Sequence, residues 1–369
     1  MKRALFRTLR LIRRTLNRLW QRFKALLGFR PKWPVVIATY RGYGRADWLS
    51  LRGRVLKDRR ILARNINSRW RALVHNYRRF NSREIPGVEV EVQLGGNTFR
   101  AITDEEGYFF VGQALQAPLL PGEKQWQDAR LSIRSVPGRK VEVDAVAPVL
   151  VPPPDAAFGV ISDIDDTVLK TDVTSLLKLK VIYHTMMKSA ALRQSFGAAA
   201  AFYQALQRGP GGDRPMNPIF YVSNSPWNLY DLLEEFLDLN GLPAGPILLR
   251  DFGIPYQNLP KDYRGHKQAS IERIFQAYPS LPFVLIGDSG EKDPYIYRAV
   301  AEEFPGRVAA IYIRDVRAHR RTRRLARFIR ETGADIKLVQ NYSQAAKDAA
   351  FRNLLLWEVF EQIRQLKPG

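Results

Sequence analysis

Phe158-Gly159-Val160-Ile161-Ser162-Asp163-Ile164-Asp165-Asp166-Thr167 is an apolar run that stops abruptly on three carboxylates. The run reads as a buried strand that ends at a reaction centre. Three like charges within four residues repel strongly at low dielectric, so a fold that gathers them needs a cation, shifted pKa values, or both. A divalent metal is the simplest resolution. Open α/β sheets place ligands outside the carboxyl ends of their strands, which is where this run delivers Asp163 and Asp165. The bland alternative is an Asp-rich turn or helix cap, and it leaves the matching elements downstream unexplained.

Downstream, four more apolar runs fit a mostly parallel sheet: Ile219 to Ser223, Ile247 to Leu249, Phe283 to Gly287 and Val308 to Ile313. Helical patterns separate them, as a βαβ arrangement requires. Residues 172–208 read as two helices inserted after the first strand, in the position of a lid. Pro226 to Asn240 reads as a helix with Pro near its start and Gly241 after its end. Residues 265–278, 292–304, 315–331 and 343–366 also carry helical patterns. Upstream, Val151-Pro152-Pro153-Pro154 makes a stiff linker. Before it, seven short strand-like runs between Val35 and Val146, with a Gly95-Gly96-Asn97 hairpin turn, suggest a small antiparallel sandwich. A basic insertion over residues 57–83 interrupts them. The expected division is therefore 1–30, 31–150 and 151–369.

The first 28 residues place Leu5, Leu9, Ile12, Leu16, Leu19, Phe23 and Leu26 at alternating spacings of four and three, with arginines on the other faces. That is the pattern of a basic amphipathic helix, suited to an anionic lipid surface. A helix packed on the protein's own core, or a targeting peptide, would carry the same periodicity. The formal net charge of +22 is localised. Residues 1–30 hold ten Lys and Arg and no acid, while 51–83 and 314–330 are the other strongly basic stretches. The chain contains no cysteine, which excludes disulfides and thiol chemistry and fits a reducing compartment. No apolar run approaches the roughly 18 residues that span a bilayer.

Three further signals sit at strand ends or helix starts. Ser223-Asn224-Ser225 closes the second strand before a helix, a candidate phosphate seat, although Ser also serves as a plain helix cap. Lys267 follows Gly265-His266 at a helix start, where an ammonium can neutralise a phosphoryl oxygen; Lys261 competes for that role. Gly287-Asp288-Ser289-Gly290-Glu291-Lys292-Asp293 closes the fourth strand, with Asp288 a natural metal ligand and Asp293 a ligand or its support.

Taken together, these stretches resemble the haloacid dehalogenase superfamily. More closely, they resemble the phosphatidate phosphatases related to the fungal actin-patch protein. The carrying segments are Ser162-Asp163-Ile164-Asp165-Asp166-Thr167-Val168, Phe220-Tyr221-Val222-Ser223-Asn224-Ser225-Pro226-Trp227-Asn228-Leu229, Leu248-Leu249-Arg250-Asp251, Ile286-Gly287-Asp288-Ser289-Gly290 and Ile311-Tyr312-Ile313-Arg314-Asp315-Val316. They span about two fifths of the chain. The resemblance implies an α/β, Rossmann-like catalytic domain with a helical lid, behind the sandwich and the basic helix. It implies that Asp163 is the nucleophile that forms an aspartyl-phosphate and that Asp165 is the acid and base. Ser223 and Lys267 would hold phosphoryl oxygens. Mg2+ would be bound by Asp163, the Asp165 main-chain carbonyl and Asp288, near Asp293.

Phosphatidate at an anionic membrane surface is the substrate so implied, for a cytoplasmic protein peripheral to the inner face of the membrane. A phosphatase for a soluble sugar or nucleotide phosphate is the alternative enzyme. A non-enzymatic basic protein that binds membrane or nucleic acid is the alternative from another class. The arginines of 317–327 would then track phosphates, but no recognised nucleic-acid motif accompanies them, and no nucleic-acid partner is expected.

Overall fold

The computed structural model describes residues 33–57, 83–119, 125–164, 197–211, 217–250, 265–316 and 319–366. The basic N-terminal stretch, most of the basic insertion and most of the expected lid lie outside them. Over the described residues the chain is mixed α/β, with two hydrogen-bonded sheets of nine and six strands.

The first sheet holds β1 (Val35–Thr39), β2 (Gly42–Arg45), β3 (Trp48–Lys57), β4 (Arg83–Glu84), β5 (Glu89–Leu94), β6 (Asn97–Ile102), β7 (Tyr108–Ala114), β8 (Trp126–Val136) and β9 (Arg139–Leu150). Alternating burial along β5 follows its alternating sequence, Val90, Val92 and Leu94 inward and Glu89 and Gln93 outward. Gly95 and Gly96, both at positive φ, make the two-residue turn between β5 and β6. Strand β3 is the hub: it pairs with β1, β2, β4 and β7. Strand β2 was not expected, because Gly42 and Gly44 give it no strand pattern. It pairs antiparallel with β3 and parallel with β9, so the sheet is not purely antiparallel. The glycines are needed there, since a Cβ on Gly44 would lie 2.6 Å from the Trp48 carbonyl oxygen. Inward faces of β1, β3 and β5 through β9 converge on one apolar core.

The second sheet runs in the order β12-β11-β10-β13-β14-β15, parallel throughout. Its strands are β10 (Gly159–Asp163), β11 (Ile219–Pro226), β12 (Ile247–Arg250), β13 (Phe283–Asp288), β14 (Val308–Arg314) and β15 (Ile336–Val339). The helices are α1 (Gly197–Arg208), α2 (Tyr230–Leu239), α3 (His266–Ala277), α4 (Asp293–Glu303), α5 (His319–Thr332), α6 (Tyr342–Phe351) and α7 (Trp357–Gln365). Every residue of β10 and β13 is buried, which explains their unbroken apolar runs. Val160, Val284, Ile286 and Tyr312 face a core built with α1, α2, α6 and α7. Ile161, Leu285, Ile311 and Ile313 face the other way, onto α3, α4 and α5.

Some boundaries differ from the sequence expectation. Strand β15 adds a sixth strand, missed because four residues are too few to show a period. Residues 343–366 are two helices rather than one, parted near Asn353, whose φ is +57°. Strand β11 continues to Pro226, which is extended and caps a short 3-10 turn, Trp227–Leu229, so α2 begins at Tyr230 rather than at the proline. Within the expected linker, Val151 is buried and its N–H donates to the Gln125 carbonyl at 2.7 Å. Among the described residues no helix is long and apolar enough to cross a membrane.

Candidate active site

Because the second sheet is parallel, the carboxyl ends of β10, β11 and β13 emerge along one edge. Asp163 is the last residue of β10 and Asp288 the last of β13. Asp163 is level with Val222, which puts Ser223 one residue further along the neighbouring strand. Asp293 opens α4, and Lys267 lies in the first turn of α3. Five residues from four separate stretches of the chain are thereby carried to one place.

Lys267 is the centre of the cluster. Its Nζ lies 2.6 Å from Asp293 Oδ1, 3.1 Å from Asp163 Oδ1 and 2.8 Å from Glu291 Oε2. Lys267 is 2 % exposed, Asp163 1 %, and Asp288 and Asp293 0 %. Burial alone would lower the Lys267 pKa, but the surrounding carboxylates overcome it and hold the ammonium well above the usual lysine value. Burial, then repulsion from Asp163, pushes the Asp293 carboxyl well up, with Lys267 opposing. The cluster holds more negative charge than a single ammonium offsets.

The donor set fits a hard divalent cation. Carboxylate oxygens of Asp163, Asp288 and Asp293 all lie within 4.8 Å of one another. Oxygen donors in this number suit Mg2+, and a dication would relieve the excess negative charge. The loop 288–293 is held in shape from within: Asp288 Oδ1 accepts from the N–H of Gly290 at 2.5 Å and of Glu291 at 3.2 Å. The Asp288 N–H donates to Asp293 Oδ2 at 3.3 Å. Ser289 Oγ donates to Asp315 Oδ1 at 3.0 Å, and Thr322 of α5 donates to the same carboxylate at 2.9 Å, tying the loop to β14 and α5.

Of the residues expected from sequence, the structure gathers Asp163, Asp288, Asp293 and Lys267. Ser223 is fully buried beside them on β11, where its Oγ accepts the Ser225 N–H at 2.9 Å. The expected helix N-terminus does not follow it. Pro226 has no N–H and favours extended backbone before it, so the strand continues and the free N–H groups of α2 begin seven residues beyond Ser223. Asp165, Asp166, Thr167 and Lys261 lie outside the described residues. Sequence reasoning missed Glu291, which bridges Lys267 to the Asn224 side chain at 3.1 Å. It also missed Tyr203 of α1, whose hydroxyl lies 2.7 Å from Ser162 Oγ; that serine donates to the Asp163 carbonyl at 2.8 Å. The acidic spacing of 288–293 signalled the first, and nothing local signalled the second.

Residues 158–315 match the family described as phosphatidate phosphatase APP1, catalytic domain. The matched stretch is less than half of this chain. It contains every residue of the cluster just described. The phosphatidate phosphatase APP1 of Saccharomyces cerevisiae is 32% identical over 158 residues, 42% of this chain and 26% of that protein. An uncharacterised protein of Schizosaccharomyces pombe is 29% identical over 220 residues, 59% of this chain and 34% of that one. The alignments thus cover about a quarter to a third of the length of these relatives. A solved β-glucuronidase of Bifidobacterium dentium overlaps 82% of this chain and 51% of its own at 9% identity, with a TM-score of 0.25, too low to speak for the fold.

Proposed function

We propose that this protein is a Mg2+-dependent phosphatidate phosphatase that works through an aspartyl-phosphate, on a haloacid dehalogenase-type domain with a helical lid; α1, the end of the expected 172–208 lid, is part of the core instead. The observation that carries the reading is the buried convergence of Asp163, Asp288 and Asp293 on Lys267, inside the APP1-related stretch. In the first step an Asp163 carboxylate oxygen attacks phosphorus in line and the bond to the glycerol oxygen breaks; Asp165 supplies the proton that the leaving oxygen takes. In the second, water attacks the same phosphorus, Asp165 takes back a proton, and phosphate leaves with the Asp163 carboxylate restored. Lys267 and Ser223 hold phosphoryl oxygens against the charge that builds on them. Asp163, Asp288 and Asp293 would hold Mg2+, with the Asp165 carbonyl, and the ion would supply charge neutralisation.

The membrane is the place to meet such a substrate, and the basic amphipathic pattern of residues 1–28 supports a peripheral position on an anionic inner surface. The β-rich half, which we read as a sandwich, would serve as scaffold. The test is hydrolysis of phosphatidate, presented in mixed micelles, against soluble sugar and nucleotide phosphates, with Mg2+ and with chelator. Phosphatidate turnover should exceed the soluble substrates and vanish with chelator, and Asp163→Asn should lower it by roughly 10³-fold or more with an unchanged circular dichroism spectrum. Preference for a soluble phosphomonoester would move the assignment to that class. Chelator-resistant turnover, or an active Asp163→Asn protein, would remove the mechanism altogether.

A further inference from the structure

The strongest feature outside the catalytic edge lies at the far side of the second sheet. Helix α5 crosses beside β15, the last strand, and the two enclose a cleft of about 520 Å3. Arg323, Arg327 and Arg330, at successive one-turn spacings on a single helix face, line it together with Ile329, Ile336 and Leu338. All three arginines are exposed. Among the described residues only Arg327 has a carboxylate in reach, Glu331 at 3.9 Å, with both side chains exposed and the pair therefore weak.

A guanidinium rim above an aliphatic floor matches one ligand chemistry: a phosphate monoanion or diester attached to hydrocarbon. We propose that this cleft docks an acidic phospholipid of a bilayer surface, the arginines on the phosphate and the floor against the first methylenes. A nucleic acid would use the rim equally well, but it gains from aromatic platforms, and among the described residues no aromatic side chain lines this cleft. Thr322, one residue before Arg323, is bonded to Asp315, which holds Ser289 beside Asp288. The helix that carries the arginines is thereby tied to the loop that carries Asp288. The inference needs no choice of substrate, and it is separate from any role of residues 1–28.

The chain has no cysteine, so an Ala326→Cys protein labelled with an environment-sensitive fluorophore reports on the cleft alone. Vesicles containing phosphatidylglycerol should shift its emission to the blue, and lipid-borne quenchers should reach it. Phosphatidylcholine vesicles and inorganic phosphate should do neither. Replacing Arg323, Arg327 and Arg330 by Gln should raise the lipid concentration needed for the shift about a hundredfold, at roughly a factor of five per arginine near an anionic surface. Arg327→Gln alone should raise it several-fold, which keeps the test decisive if the triple variant misfolds. Emission that stays unchanged while the protein co-sediments with anionic vesicles would overturn the proposal. So would a response to single-stranded RNA at lower concentration than to lipid, or an arginine-independent shift.

Discussion

Gly287 is the residue on which the geometry of the cluster turns. A Cβ at that position would lie 2.8 Å from Asp293 Cβ and 2.9 Å from its Cγ, so the strand carrying Asp288 can pass α4 only without a side chain. Gly287→Ala must push Asp293 off Lys267 and off the donor set. We expect a loss of about 1–3 kcal/mol in stability from the overpacking, and a roughly tenfold rise in the Mg2+ concentration that protects against thermal unfolding. Gly197, at the start of α1 with nothing within 4 Å of its Cβ position, is the control: Gly197→Ala should change neither. A Gly287→Ala protein with wild-type melting and metal response would mean that Asp293 is not held by this contact. The same residues mark where sequence reading reaches its limit. Asp163, Asp288, Asp293 and Lys267 were legible because each stands where an apolar run ends or a helix begins. Glu291 was passed over within a loop whose acidic spacing did signal it, whereas Tyr203 was not legible, because its partner comes from another element and no local period points across a fold.

At the scale of elements, β15 shows why a short strand needs help to be one. Asp335 precedes it and Lys337 lies within it, and both are tied to α6 through its end: Arg352 makes two 2.7 Å hydrogen bonds to Asp335 and a third to Asp348. Lys337 Nζ lies 3.2 Å from Asp348 Oδ1, and the Tyr312 hydroxyl of β14 donates to the same carboxylate at 3.2 Å. Tertiary ion pairs thus fix an element that its four residues of sequence do not announce, whereas the long apolar β10 and β13 were plain. Both carboxyl groups are held below the ordinary aspartate value: Asp335 by its hydrogen bonds to Arg352, Asp348 by Arg352 and Lys337 against the opposing effect of burial. A depressed folded-state pKa contributes stability above the unfolded value and loses it as pH falls through the folded one. Arg352→Ala should therefore cost about 1–2 kcal/mol at neutral pH, and the difference from wild type should shrink as the pH falls below the ordinary aspartate value of 3.8. Urea unfolding at the two pH values measures this. A difference independent of pH would assign the effect of Arg352 to packing instead.

For the whole molecule, the question is how a β-rich half without catalytic residues bears on the site. It grips two of the helices beside the second sheet, α2 and α3, through residues 40–44. The Arg41 N–H donates to the Tyr230 hydroxyl at 2.7 Å, and its guanidinium pairs with Glu234 and Asp238 of α2. Tyr40 packs on Trp227 and Tyr230 with ring centres 4.8 and 4.5 Å apart. Tyr43 of β2 is counted into the core under α3, its ring 5.6 Å from Phe220, and Tyr278 donates back to the Gly44 carbonyl at 3.0 Å. Helix α3 carries Lys267 and the Trp227 turn follows Ser223, so the scaffold braces the two sides of the candidate site. Burial of that aromatic contact is too large to be incidental: Tyr43→Ala should remove about 3–5 kcal/mol. Because the lost contact lies between the two sheets, the effect should fall on their coupling rather than on one half. We expect wild-type protein to melt in one transition and Tyr43→Ala in two, the lower one accompanied by loss of phosphatase activity. Phe304→Ala, within the second half alone, should instead lower a single transition. If Tyr43→Ala melts in the same single step as Phe304→Ala, the halves do not depend on this contact, and the β-rich sheet is a neighbour of the site rather than its brace.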